Sequence, residues 1–118
     1  MEEAIKRNRK VGVMFIDWET QYNLTITHIQ NMYEKYKDNI IPYWLCIPLL
    51  SDNACSQYEP YWVSWDESKK DVWAREKPEM SIKTTEMFDF YTEKMTFEEF
   101  ITKFSDWYGK GEKVACFV

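Results

Sequence analysis

The sequence predicts an α/β domain, a parallel sheet of about three strands with helices on its faces. Three observations carry this prediction. The apolar run Val11 to Ile16 ends in a carboxylate, Asp17, and passes into an amphipathic stretch from Thr20 to Lys37. A second apolar run, Ile40 to Ile47, follows that stretch. The strongest helical pattern, Thr96 to Tyr108, leads into a closing apolar run, Lys113 to Val118. Strand, helix and strand in this order make a right-handed crossover unit, because two parallel strands cannot be joined by a tight turn.

Taken in order, Glu2 to Arg9 reads as a short helix with acids at its start and Lys6, Arg7, Arg9 and Lys10 at its end, as the helix dipole favours. The basic cluster could also meet a phosphate. Val11 to Ile16 has almost no polar alternation, so both its faces should be covered. In the next helix Ile29, Met32, Tyr33 and Tyr36 fall at i, i+3, i+4 and i+7, one stripe for packing on the sheet, with His28 and Gln30 off it. Asp38 and Asn39 end the helix. The second strand, Ile40 to Ile47, carries Pro42 near its start.

From Ser51 to Met95 the pattern is irregular. Ser51 or Asp52 could cap a short helix through Gln57. Tyr58 to Trp73 concentrates aromatic and charged residues without a glycine, with Trp62 and Trp65 three apart and Trp73 beyond a polar turn at Glu67 to Lys70. Two readings stand for this block: a stacking platform for a base or a partner's side chain, or a self-packed excursion over one edge of the sheet. Thr96 with Glu99 forms a capping box. Phe97, Phe100, Ile101, Phe104, Trp107 and Tyr108 form one stripe, Gly109 supplies a stop, and Gly111 turns the chain into a third buried strand at Lys113 to Val118.

Composition narrows the function. With 118 residues, 45% of them hydrophobic, the chain makes one domain with a real core. The net charge of −5 argues against direct nucleic-acid binding, which draws most of its affinity from basic side chains releasing counterions. Cys46, Cys55 and Cys116 are widely spaced, and His28 is the sole histidine, so no zinc or iron–sulfur spacing exists. His28 has no identifiable cysteine or serine partner, which leaves no nucleophilic constellation. No segment is long and apolar enough to span a membrane, and the N-terminus has no apolar signal core, so a cytoplasmic protein is expected.

Three blocks then carry a resemblance. VGVMFIDWETQYNLTITHI, IIPYWLCIPLLSDNACSQYEPYWVSWDESKKDVW and MTFEEFITKFSDWYGKGEKVACFV look like consecutive parts of the phosphoadenosine-phosphosulfate reductase family, nearest to its prophage-associated subgroup of reductases or sulfotransferases. The likeness runs from about Ile5 to Val118, and the aromatic block WxxWDxxKKDxW falls in its expected place. It implies a partial Rossmann-like domain of the PP-loop, adenine nucleotide alpha-hydrolase-like type, with adenine nucleotide as the cofactor class. In that family a central strand carries a Ser-Gly-Gly-x-Asp-Ser phosphate loop. Here Gly12, Gly109 and Gly111 are the only glycines, and none stands beside a serine. The family's Gly-x-Arg segment for the anionic end of the nucleotide and its paired or C-terminal catalytic cysteines are likewise absent. What the resemblance leaves is the adenine side, at the end of the Val11 to Asp17 strand, with Ile16 and Asp17 as candidate binding residues.

The resemblance also places the absent central strand between Val11 to Ile16 and Lys113 to Val118. Two open edges would result, and their closure by direct pairing or by a second chain is expected. The functional expectation is a truncated reductase-like module that binds adenine nucleotide at most weakly and has no catalytic residues of its own. The alternative is a small phage-encoded inhibitor of a host defence complex, anti-CRISPR-like, binding its protein partner through Trp62, Trp65 and Trp73. A complete enzyme would have to work through scattered carboxylates alone.

Overall fold

Two parallel strands form the centre of the protein, and a helix covers each of their faces. The computed structural model describes all residues from Met1 to Val118. Its elements are α1 (Glu2–Lys6), β1 (Val11–Ile16), α2 (Asn23–Lys35), β2 (Ile40–Leu45), β3 (Leu50–Asp52), β4 (Tyr61–Val63), a 3-10 segment at Glu67–Val72, and α3 (Phe97–Gly109). β1 and β2 pair in parallel from Val11 opposite Ile40 to Ile16 opposite Leu45. The crossover unit expected between them is formed, with α2 as its helix.

Side-chain alternation along the strands sorts the core into two halves. Met14, Ile16, Tyr43 and Leu45 pack with Phe100 and Phe104 of α3, together with Leu49, Phe88 and Met95. Val13, Phe15, Trp44 and Cys46 pack with Ile26 and Tyr33 of α2 and with Trp65. Both faces of β1 are therefore covered toward its carboxyl end, while Val11 and Gly12 at its start stay exposed. Aromatic edges fill much of the volume, including Tyr33 and Phe15 each set edge-on to Trp44. α3 begins with the complete capping box between Thr96 and Glu99, so the amides of these two residues have partners. Its stop lies at Lys110, which takes the left-handed conformation, with Gly109 as the last helical residue.

Several expectations are corrected. No helix follows Ser51. Leu50–Asp52 instead pairs antiparallel with Tyr61–Val63, and Asn53 donates its amide to the Pro60 carbonyl to close the hairpin. The backbone groups of β3 find partners across the chain, which a capped turn of helix would not have given them. α1 stops at Lys6, leaving Arg9 and Lys10 outside it.

The third strand does not form either. Lys113 to Val118 is exposed along its whole length and pairs with nothing, so the expected partial Rossmann-like sheet of about three strands is observed as one parallel pair and one short hairpin. Direct pairing of this run with β1 is likewise not made. At the place where it would start, the Tyr108 hydroxyl accepts the Gly12 amide at 3.1 Å. The Tyr108 ring lies so close that a side chain on Gly12 would meet it at 2.8 Å.

Candidate functional site

At the carboxyl end of β1 the backbone leaves the sheet and Asp17 turns inward, with no exposure at all. A buried carboxylate is costly unless it is paired and hydrogen-bonded, and this one is both. One carboxylate oxygen accepts the Glu19 amide at 3.0 Å and the Arg75 guanidinium. The other accepts the Trp44 indole N–H at 2.9 Å and the Cys46 thiol at 3.6 Å. Four donors meet the roughly four lone-pair sites of a carboxylate, which leaves nothing over for a ligand. The Asp17 backbone is engaged too, its carbonyl accepting the Trp65 indole at 2.6 Å.

Glu19 extends this knot. It sits at φ +67 and is buried, and its carboxylate accepts the backbone amides of Trp65 at 2.9 Å and Ala74 at 3.3 Å. Arg75 lies over the Trp65 ring, and Lys77 lies over Trp73 at 4.8 Å while donating to Glu67 and to the Lys83 carbonyl. Burial pushes the Cys46 thiol up to about 12, and the Asp17 charge acts in the same direction. A thiol held protonated in this way is no nucleophile.

The residues singled out in the sequence fall in different places. Ile16 and Asp17 are adjacent and buried. Trp65 is fully buried and set edge-on to the half-buried Trp73, whose indole donates to the Asp66 carbonyl. Trp65 is thus part of the core and takes no part in an exposed platform. Trp62, on β4, is half-buried and stands apart from those two. The aromatic block is held by Asp17 and Glu19, so its self-packed reading describes Trp65 and Trp73.

Arg75 escaped the sequence reading. It is the counter-charge to Asp17 across 58 positions, and a single arginine in an irregular stretch carries no local pattern that would reveal it. Trp18 follows Asp17 at the strand end, and Phe97 read in the sequence as one residue of an apolar helical stripe. Their rings lie 6.0 Å apart beside a cavity of about 230 Å³, which Leu50, Asp52, Tyr61 and Glu98 also line. Neither Asp52 nor Glu98 has a cationic partner among the ion pairs. The cavity opens next to the end of β1, the end of a parallel strand at which open α/β sheets take their ligands. No group of histidine, cysteine and acidic side chains could hold a metal ion.

The fold and this strand end define a mixed α/β protein built on one helix-covered parallel pair. No protein-family model matches the sequence, and no solved structure matches it. The chain is similar to a protein of Escherichia coli (strain K12) described as uncharacterized protein YbdN, with 36% identity over 118 residues. That match takes in 99% of this chain and 29% of YbdN, so the chain spans less than a third of the relative's length.

Proposed function

We propose that the chain is a module of a phosphoadenosine-phosphosulfate reductase-like protein that holds the adenine side of a nucleotide weakly and performs no chemistry alone. The observation that supports this reading is the cavity beside Trp18. At about 230 Å³ it is smaller than the roughly 300 to 1,000 Å³ of pockets that enclose whole ligands, and it suits a purine base. Trp18 and Phe97 offer aromatic surface, and Asp52 and Glu98 offer acceptors for an exocyclic amino group. The same two carboxylates repel phosphates, which must then lie outside. Because Ile16 and Asp17 are buried and Asp17 is saturated, the contact with the base falls to Trp18.

Calorimetric titration with adenosine, ATP and phosphoadenosine phosphosulfate tests this. The expected result is saturable binding with a Kd on the order of 1 mM, no tighter for ATP than for adenosine, and lost in Trp18→Ala. Absence of saturation for all three ligands, or ATP binding far more tightly than adenosine, would overturn the reading.

One observation favours the alternative of a phage-encoded inhibitor that binds a host defence complex. The β3–β4 hairpin displays Tyr58 and Tyr61, 87% and 60% exposed, beside the half-buried Trp62. Under that reading the double variant Tyr61→Ala and Trp62→Ala, still folded, abolishes inhibition in a restriction assay. Unchanged inhibition removes the hairpin from the interface.

A further inference from the structure

The two edges of the parallel pair are treated differently. On the β1–β2 side the Val11 amide donates to the Asn39 carbonyl and the Asp17 amide to the Leu45 carbonyl. By strand alternation the backbone groups of Gly12, Met14 and Ile16 therefore face the other way. No strand lies there, and the Tyr108 hydroxyl on Gly12 is the one hydrogen bond recorded along that edge. The far edge of β2 is guarded in two ways. Pro42 has no amide to offer, and Ile82 exchanges hydrogen bonds with Trp44 and Cys46.

The same chain carries a strand without a sheet. Lys113 to Val118 reads KVACFV, free of proline and glycine, rich in β-branched and aromatic residues, and uncharged after Lys113. Yet Phe117 is 93% exposed. The tail leaves α3 through Lys110 in the left-handed region and Gly111 at φ +90, with the Glu112 amide on the Gly109 carbonyl. The radius of gyration, 15.6 Å, exceeds the roughly 13.5 Å of a compact chain of this length. Beside the root of the tail lies a cavity of about 530 Å³ lined by Ile41, Tyr43, Trp107 and Tyr108, with Ile41 exposed.

We propose that the tail of one copy adds as a strand to the outer edge of β1 in a second copy, seating Phe117 at the cavity beside Ile41 and Trp107, and that the exchange is reciprocal. A second copy is the occupant because one chain holds both halves of the contact and uses neither. Each copy has an edge without a strand and a strand without an edge. A lone six-residue strand on an edge falls short of the roughly 1,200 Å² that a specific interface buries, and a two-fold exchange counts the contact twice. The added strand takes the Gly12 amide from Tyr108 and gives Met14 a backbone partner.

Sedimentation of the full chain from about 1 μM to about 1 mM tests the proposal. The expected result is a monomer–dimer equilibrium that deletion of Lys113 to Val118 weakens at least tenfold. The deletion removes only exposed residues, so its circular dichroism should match that of the full chain. Met14→Pro, which removes an outward amide and leaves the β2 side of the ladder alone, should act in the same way, and hydrogen exchange should show the Met14 amide protected in the dimer only. A full chain that stays monomeric throughout the range overturns the proposal. So does a dimer that survives the deletion, which would place the interface elsewhere.

Discussion

The two ends of β1 are opposites. At Asp17 four side-chain and backbone donors converge on one carboxylate, and two of the residues that supply them, Glu19 and Arg75, also tie in the segment from Trp65 to Arg75, more than forty positions away. Near Gly12, five residues earlier on the same strand, the outer edge has one tyrosine hydroxyl. The difference teaches where the chain spends its polar side chains. At the carboxyl end Asp17 itself is saturated by the protein's own side chains and leaves only the adjoining cavity at Trp18 open, whereas the uncommitted backbone lies at the edge.

The comparison breaks most severely at Asp17. Asp17→Ala strands the Arg75 guanidinium, the Trp44 indole and the Glu19 amide in a dry setting. Removing one partner of a buried pair costs about 3 to 5 kcal/mol. Urea unfolding followed by tryptophan fluorescence should therefore show the midpoint falling steeply, with Trp65 and Trp73 loosened together because both are anchored through this corner. A change below about 1 kcal/mol would mean that the cluster is decorative.

How much of this was legible in the sequence follows the range of each interaction. The parallel pair, its crossover helix and the capped α3 are local patterns of three, four and seven residues, and they appear where the periodicity puts them. The bounds of β1 match the apolar run residue for residue. The hairpin Leu50–Asp52 with Tyr61–Val63 was not legible, because three-residue strands carry too few alternations to show a period. Lys113 to Val118 has the composition of a strand, but composition does not place it on an edge, and the Tyr108 hydroxyl stands on the Gly12 amide where the pairing would start. Asp17 stood out at the strand end, although as a candidate ligand contact. Its partner Arg75 had no local signal at all. Trp65 reads in sequence like Trp62, and only the long-range hydrogen bond to the Asp17 carbonyl distinguishes the buried one.

A smaller effect sharpens the contrast through Cys46. Its thiol, buried against Asp17, is raised from the ordinary value near 9 to about 12. The folded chain keeps this proton at pH values where the unfolded chain loses it. Stability from Cys46 is thus complete below about pH 9 and is lost as pH rises toward 12, at up to about 1.4 kcal/mol per pH unit. Urea midpoints between about pH 8 and pH 10 should fall in the native chain and fall less in Cys46→Ala. In the same range the exposed Cys55 and Cys116 should alkylate in the folded protein while Cys46 stays unmodified until unfolding.

The smallest expected effect on the monomer is the most informative about the open edge. Phe117 touches almost nothing within its own chain, so Phe117→Ser should change unfolding stability by no more than about 0.5 kcal/mol, the range of ordinary surface substitutions. It replaces a large apolar ring with a small hydroxyl that forfeits contact with Ile41 and Trp107, and serine also favours a strand less than phenylalanine does. Measured at a concentration where the full chain is dimeric, the variant should sediment as a monomer with an unchanged urea curve at low concentration. Asp17→Ala should do the reverse, lowering the urea midpoint severely. A Phe117→Ser variant that loses several kcal/mol as a monomer would instead place the ring inside its own fold, and the contrast between the tied end of β1 and its open edge would fail.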